Sequence, residues 1–540
     1  MITVHTPQKT YSLTAPDEGS ALDLMRSAGI EVYVPCNGRG ICGRCAVRDK
    51  SGETRLACRT PARDGLEVWY SPADGAARIV TDGGGALGAE LDPAVKKIAF
   101  TMPDNDDDLP DLLDGADLPP GLLCMAAPGD SLTAVIQEGD VTGLEPGDTR
   151  GALLGAAVDI GTTTLAGYLL DLTSGELLAS AGALNPQRAH GADVCSRMDF
   201  AAAGDGAVLL RDEIIKAIGS LIGDLCQKAG RGANEIYRMA LAGNTVMLHF
   251  LMGFETKTLA VAPFVPVSVS PRRFPARIIC PDAGTGAVAE LLPCVAAYVG
   301  ADTVAAALAA NMDGGGGTSL LIDLGTNGEI VLRHEGRLYA CSAAAGPAFE
   351  GGGISCGMPG IDGAVDSFSL DGGALTIGSK PPAGLCGTGL VDVAAELLRA
   401  GIIDETGRLS DGQDFEIAPG VTLTQADIRA LQCAKAAVAA GIRVLLQEAG
   451  ASPDEVETLY LAGGFGTFMN AQNAAAIGLI PSAAANVSCI GNAAGMGAVA
   501  DVLSQKVSAR AAAMEMNYVE LSSNAAFNEF YTDCMMFESW

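Results

Sequence analysis

A short unit occurs twice in this chain. Residues Val158-Asp159-Ile160-Gly161-Thr162-Thr163-Thr164-Leu165-Ala166 join two apolar stretches through an acidic, Gly-containing turn. Residues Leu320-Leu321-Ile322-Asp323-Leu324-Gly325-Thr326-Asn327-Gly328-Glu329-Ile330-Val331 repeat the plan. Each copy reads as a buried β-hairpin. Two widely separated copies imply an internal duplication, one hairpin per half of a large α/β domain.

The turns carry their own chemistry. An Asp at the end of a buried strand holds Mg²⁺ through water. The glycine that follows lets the backbone approach a phosphate, whose oxygens then meet N–H and hydroxyl groups. On this reading Asp159 and Asp323 organise Mg²⁺, while Gly161, Thr162, Thr163, Gly325, Thr326 and Asn327 line the phosphates. A third turn, Leu461-Ala462-Gly463-Gly464-Phe465-Gly466, follows the helix-like stretch Ile428–Glu448, and Gly463 and Gly464 leave room for a ribose or base. One such turn alone is equally a packing device; all of them in this order point to ATP. No G-x-x-x-x-G-K-[ST] is present, which excludes a Walker-type site. Lys435, on the same helical stretch, is either a nucleotide contact or a surface lysine.

The N-terminus holds a second motif. Cys36, Cys42 and Cys45 lie on one Gly-rich loop and Cys58 follows. The spacing C-x5-C-x2-C…C is close to the plant-type [2Fe–2S] pattern. Zinc or disulfides are the alternatives, but zinc sites usually present paired C-x2-C units, and one is found here. Around the loop, alternating Ile2–His5 and Tyr11–Leu13, a Ser20-capped helix and the strand Leu66–Tyr70 make a β-grasp ferredoxin. The other eleven cysteines of the 15 stand singly among apolar residues, which suits buried, reduced thiols.

These readings divide the chain into a ferredoxin unit (1–75), a Gly-rich linker (76–93), a small acidic middle unit (94–150) and the duplicated domain (151–540). The fold class is α+β, multi-domain. Net charge is −30, which repels nucleic acid. No apolar run of membrane-spanning length stands out, and Met1-Ile2-Thr3-Val4-His5 lacks the order of a secretion signal, so the chain reads as cytoplasmic and off the membrane. The acidic run Asp104–Asp108 lacks the EF-hand glycine and closing Glu, and reads as a solvated turn. Arg39, Arg44, Arg48, Arg55 and Arg59 gather near the cysteines, either as a solvated surface or as a patch that docks an acidic redox partner.

The duplicated turns resemble the phosphate and adenosine motifs of the ASKHA superfamily. With an N-terminal ferredoxin, the order of parts is similar to the reductive activators of corrinoid enzymes. Further similar stretches are Asn185-Pro186-Gln187-Arg188, Gly191–Arg197, Ala242-Gly243-Asn244-Thr245, Tyr298–Thr303 and Gly346–Gly352. The resemblance implies an ATP-dependent activator that returns inactive Co(II) to Co(I) in the corrinoid protein of a methyltransferase system. It implies a [2Fe–2S] cluster, ATP and Mg²⁺, a low-potential donor (ferredoxin, flavodoxin or flavoprotein) and a homodimer. Activation of a radical dehydratase or aryl-CoA reductase, and ATP-binding redox sensing, are the alternative functions.

Overall fold

The computed structural model describes residues 1–6, 9–14, 19–28, 30, 32, 45–50, 52, 54–70, 90–484 and 486–540. Cys36 and Cys42, with Arg39 and Arg44, the turn at Pro7-Gln8 and the linker through residue 89 lie outside the described residues.

The first unit is a five-stranded mixed sheet. Strands β1 (Ile2–His5) and β2 (Thr10–Leu13) form the expected hairpin. β5 (Glu67–Trp69) returns parallel to β1, and β3 (Ala46–Asp49) pairs antiparallel with β5 and with β4 (Thr54–Leu56). The helix Ala21–Ser27 starts where Ser20 and Asp23 cap it reciprocally: Ser20 Oγ accepts the Asp23 N–H at 3.2 Å, and the Asp23 carboxylate accepts the Ser20 N–H at 3.0 Å. Leu22 and Met25 pack on Ile2, Val4, Val47 and Val68. So small a core gains stability from a bound metal group.

Strands β6 (Val95–Thr101), β7 (Ser131–Gln137) and β8 (Asp140–Pro146) make an antiparallel three-stranded sheet. It is tied closely to the next layer. Val95 and Val135 belong to the same buried cluster as the first large sheet. The buried Lys97 ammonium donates to Glu145 at 2.7 Å and to the Ala152 carbonyl at 2.8 Å, and lies 4.3 Å from the centre of the Tyr237 ring. Gln137 donates to the Gly286 carbonyl at 2.7 Å. The run Asp104–Asp108 is exposed, and Asn105 caps the short helical turn inside it.

Two six-stranded sheets then repeat one plan. In the first, β9 (Leu154–Ile160), β10 (Thr164–Asp171) and β11 (Leu177–Leu184) form a meander, and β12 (Ile236–Gly243) lies parallel beside β9. β13 (Arg272–Pro275) and β14 (Val288–Leu291) complete it. In the second, β15 (Thr318–Leu324), β16 (Gly328–His334) and β17 (Arg337–Ala343) form the meander, and the strand Val456–Ala462 lies parallel beside β15. The strands Asn486–Cys489 and Met516–Tyr518 close its two edges. The copies agree in register: Asp159 stands opposite Ala242, and Asp323 opposite Ala462. β9 and β15 are buried nearly throughout, which is why both appear in sequence as continuous apolar runs rather than alternating ones.

Each half also lends a helix to the other. The helix Ala301–Ala309 places Ala306 and Ala307 against Leu321 and Val331 of the second sheet. The helix Ala493–Leu503 places Ala498, Val499 and Val502 in the core of the first.

The helix Gln425–Ala449 is long and apolar enough to cross a membrane by length and composition, contrary to the sequence reading. Of its most apolar window 78% is buried, and it forms the core behind β16 and β17. Lys435 on this helix is neither at the surface nor beside the nucleotide motifs. It is buried, and its ammonium donates to the Met536 carbonyl and faces the Phe537 ring. Burial pushes its pKa down to about 8. The tail beyond the closing strand is a helix, Ala525–Asp533, ending in Trp540, whose indole N–H donates to the Gly478 carbonyl at 3.0 Å. The expectation of uniformly buried thiols holds only in part: Cys226, Cys280, Cys341, Cys386 and Cys534 are buried, whereas Cys124, Cys195, Cys433 and Cys489 are exposed.

Candidate functional site: an acidic cleft and a cysteine hairpin

The duplicated turns meet at the ends of β9 and β15, and their strand-end acids crowd together. Burial pushes the Asp159 carboxyl up from an ordinary 3.8 to about 7, with the charges of Asp302 and Asp323 adding to the rise. Burial likewise pushes Asp323 up to about 7, with Asp302 again contributing. Asp302, in the first turn of the helix Ala301–Ala309, is itself raised by burial to about 6, although its carboxylate accepts the Thr303 N–H at 2.8 Å. Glu329, just past the second turn, is raised well above the usual range by burial and by the charges of Asp302 and Asp323. Carboxylates held this close repel one another when ionised, and a divalent cation removes that cost.

The first turn is braced from three sides. The Asn185 amide donates to the Gly161 carbonyl at 2.9 Å. The fully buried Arg197 donates to the Thr162 carbonyl, and to the Gly191 carbonyl at 2.9 Å. The Asn244 amide donates to Thr162 Oγ1 at 3.0 Å, while its own carbonyl oxygen caps the helix Thr245–Met252. Arg197 therefore places a fixed positive charge behind the Gly161–Thr163 backbone. The second turn is closed by the Gly325 N–H, which donates to the Asn327 carbonyl at 2.9 Å. Thr326 Oγ1 donates to Glu350 at 3.0 Å, and burial raises that carboxyl.

Gly463 is fixed by two demands. Its φ of +80° lies in the left-handed region, and a Cβ there would overlap the Asp323 carboxylate. Gly463→Ala is therefore expected to lower stability by about 1–3 kcal/mol and to weaken nucleotide binding at least tenfold, measurable by thermal melts and calorimetric titration. Asn492, at the start of the helix Ala493–Leu503, donates to Asp159 Oδ2 at 3.1 Å. The opposing half thus reaches across to the first strand-end acid.

The donor set suits a hydrated Mg²⁺ carrying phosphates. Among the described residues, no three Asp, Glu, His or Cys side chains close on one point as direct ligands. Crowded carboxylates facing Gly-Thr turns fit an ion held through its own waters.

The raised carboxyls predict a pH dependence. A carboxyl whose folded pKa exceeds its unfolded value binds more protons when folded, so stability falls as pH rises between the two values. The nucleotide-free protein is expected to lose several degrees of melting temperature from about pH 4.5 to about pH 7.5. Asp323→Asn should flatten that slope, and Mg²⁺ should stabilise more at the higher pH. Thermal melts across pH, with and without Mg²⁺, check all three.

Of the four sequence-predicted cluster ligands, two are described. β3 and β4 pair Ala46 with Leu56, and the Ala57 N–H donates to the Cys45 carbonyl at 2.8 Å. Cys45 and Cys58 therefore leave the same end of one hairpin. Cys45 is buried and Cys58 partly so. This side-by-side placement fits the two-thiolate edge of a [2Fe–2S] centre. Arg55 near this end is paired with Asp49 at 2.9 Å.

Comparison with known proteins bears on both regions. Residues 4–63 match the 2Fe-2S iron-sulfur cluster binding domain. Residues 154–315 match the RACo middle region, and 317–539 the C-terminal domain of RACo, the ASKHA domain. The chain is 31% identical over 588 aligned positions, 98% of each chain, to the corrinoid activation enzyme RamQ of Eubacterium limosum. It is 26% identical, over 70% of this chain and 76% of the relative, to the [Co(II) methylated amine-specific corrinoid protein] reductase of Methanosarcina barkeri. A solved structure titled reductive activator for corrinoid, iron-sulfur protein superposes with a TM-score of 0.74 at 28% identity, covering 100% of this chain and 99% of that one. The chain belongs to the family of reductive activators of corrinoid proteins.

Proposed function

We propose that this chain delivers one electron to the cobalt of a corrinoid protein, taking inactive Co(II) to Co(I), and that ATP held in the acidic cleft makes the transfer possible. The observation that carries the ATP half is the matched register of Asp159 and Asp323, which brings two Gly-Thr turns and four raised carboxyls to one place. The likeness to corrinoid-activating relatives along nearly the whole chain supports the electron-transfer half.

Cys36, Cys42, Cys45 and Cys58 hold the cluster, which supplies a one-electron carrier in the plant-type range near −400 mV. Asp159 and Asp323 hold hydrated Mg²⁺, with Asp302 and Glu329 adding negative charge around it. Gly161, Thr162, Thr163, Gly325, Thr326 and Asn327 present N–H and hydroxyl donors to the phosphates, and Gly463 and Gly464 face the nucleoside. ATP contributes only through its different affinity for two states of the complex with the corrinoid protein. The useful state is one in which the partner's Co(II) is easier to reduce, and hydrolysis resets it.

The ferredoxin unit (1–75) moves on its tether (76–93) between an electron donor and the corrinoid protein, while the sheet of 94–150 stays fixed on the domain of 151–540. The donor is a low-potential ferredoxin, flavodoxin or flavoprotein, the active form is a homodimer, and the work is done in the cytoplasm. Calorimetric titration of the full chain with ATP and Mg²⁺ tests the cleft. Native protein should bind, and Asp323→Asn should bind at least tenfold more weakly. Equal affinity in the two would overturn the assignment.

A further inference from the structure

The helix Ala493–Leu503 joins two separate places in the fold. At its start, Asn492 donates to Asp159 Oδ2 at 3.1 Å and accepts the Gly495 N–H at 2.8 Å, so the helix cap is itself a contact in the cleft. At its end, about 16 Å away for 11 residues, the helix grips the chain that arrives from the ferredoxin unit. The Asp92 N–H donates to the Leu503 carbonyl at 2.9 Å, and the Gln505 N–H donates to the Asp92 carbonyl at 2.8 Å. The Gln505 amide donates to the Pro93 carbonyl at 3.3 Å, and Lys506 pairs with Glu90. Asp92 and Ser504 thereby form an isolated parallel bridge.

Between these ends the helix has little freedom to deform. A Cβ at Gly497 would overlap the Ala305 carbonyl of the helix that carries Asp302, one at Gly495 would strike the Tyr168 ring, and one at Gly155 would strike Val502. Contacts this close move as a body rather than yield locally.

We infer that this helix transmits nucleotide occupancy of the cleft to the anchor at Glu90–Pro93, and so sets where the ferredoxin tether leaves the domain. The inference rests on the reading of the cleft as the ATP site. When Mg²⁺-ATP engages Asp159, the Asn492 contact is rearranged. The displacement reaches Leu503 and Gln505, and the tether root shifts with them. The cleft thus acts on the redox unit as well as on the corrinoid protein.

Hydrogen exchange at the Asp92 and Gln505 amides of the full chain, with and without Mg²⁺-ATP, tests this, with ATP binding titrated on the same samples. The expected result is a change in protection of about fivefold or more on binding. Bound ATP with unchanged protection overturns the inference alone; absence of ATP binding overturns the cleft assignment and the inference with it. A variant gives the functional arm. Gln505 is the first residue of the helix Gln505–Ala513 and follows the extended Ser504, a position where proline is well accommodated. Gln505→Pro deletes both hydrogen bonds from Gln505 to the tether root. ATP affinity should stay within about twofold, because Gln505 is remote from the cleft, while ATP-stimulated Co(II) reduction falls about tenfold. Full ATP stimulation in this variant overturns the inference.

Discussion

Asp159→Asn is expected to abolish ATP-dependent cobalt reduction while making the nucleotide-free protein more stable. The two effects share a cause. The Asp159 carboxyl sits near Asp302 and Asp323, and burial raises it to about 7. At about 1.4 kcal/mol per unit, a rise from 3.8 to about 7 sets a ceiling of ~4 kcal/mol on the cost of ionising it in the fold. Water access and relaxation reduce that to about 1–3 kcal/mol at neutral pH. An amide keeps the shape and removes the charge, and Asn492 still finds an oxygen to donate to. The melting temperature of the nucleotide-free variant should rise by several degrees. Its ATP-stimulated reduction should fall about 100-fold or more, the scale seen when a preorganised charge contact is removed from a reacting site. Melts and a corrinoid absorbance assay on one preparation check both. Unchanged stability together with unchanged activity would place Asp159 outside the mechanism.

Cys58→Ser is expected to take the opposite toll. Removing one of four thiolates should cost the cluster and bring cobalt reduction to background, with ATP affinity held within about twofold, since the cleft shares no residue with the β3–β4 hairpin. The ferredoxin unit should also lose cooperative unfolding, because its core of Ile2, Val4, Leu22, Met25, Val47 and Val68 is small and the bound cluster contributes to its folding. Visible absorbance gives cluster content, titration gives ATP binding, and proteolysis confined to the first 70 residues reports the local loss. Retained cluster absorbance would mean that another cysteine is the fourth ligand.

Sequence made the two hairpins plain because β9 and β15 are buried on both faces, so each is an unbroken apolar run closed by a single acid. Gly463 was equally visible, and its reason is now steric: the Asp323 carboxylate lies where a Cβ would be. Asp302 was harder to find. An acid in the first turn of a helix is ordinary on dipole grounds, and only the crossing of the helix Ala301–Ala309 between the halves brings it to Asp159 and Asp323. Glu329 lies in β16, where a strand position alone does not separate an acid at the site from one facing solvent. Asn492 left a signal, a capping residue before a helix in the Gly491-Asn492 turn, yet its bond to Asp159 spans the whole duplicated domain. Asn185, Arg197 and Asn244 likewise act on the first turn from separate elements. Lys435 illustrates the limit of a helical pattern, which leaves it open to nucleotide or solvent and gives no sign of the returning tail that covers it. The middle sheet read as a separate unit because composition reveals its acidity and not the burial of Lys97 against Tyr237.

The most direct measurement follows the Co(II) absorbance of a cognate corrinoid protein, mixed without oxygen with the cluster-loaded chain and a low-potential reductant. Nucleotide is the only variable. With Mg²⁺-ATP, Co(II) should be lost over many turnovers per chain and Co(I) should appear. Without nucleotide, the cluster should become reduced while Co(II) persists. Equal rate and extent of Co(II) loss in both mixtures would contradict the coupling of the cleft to the electron.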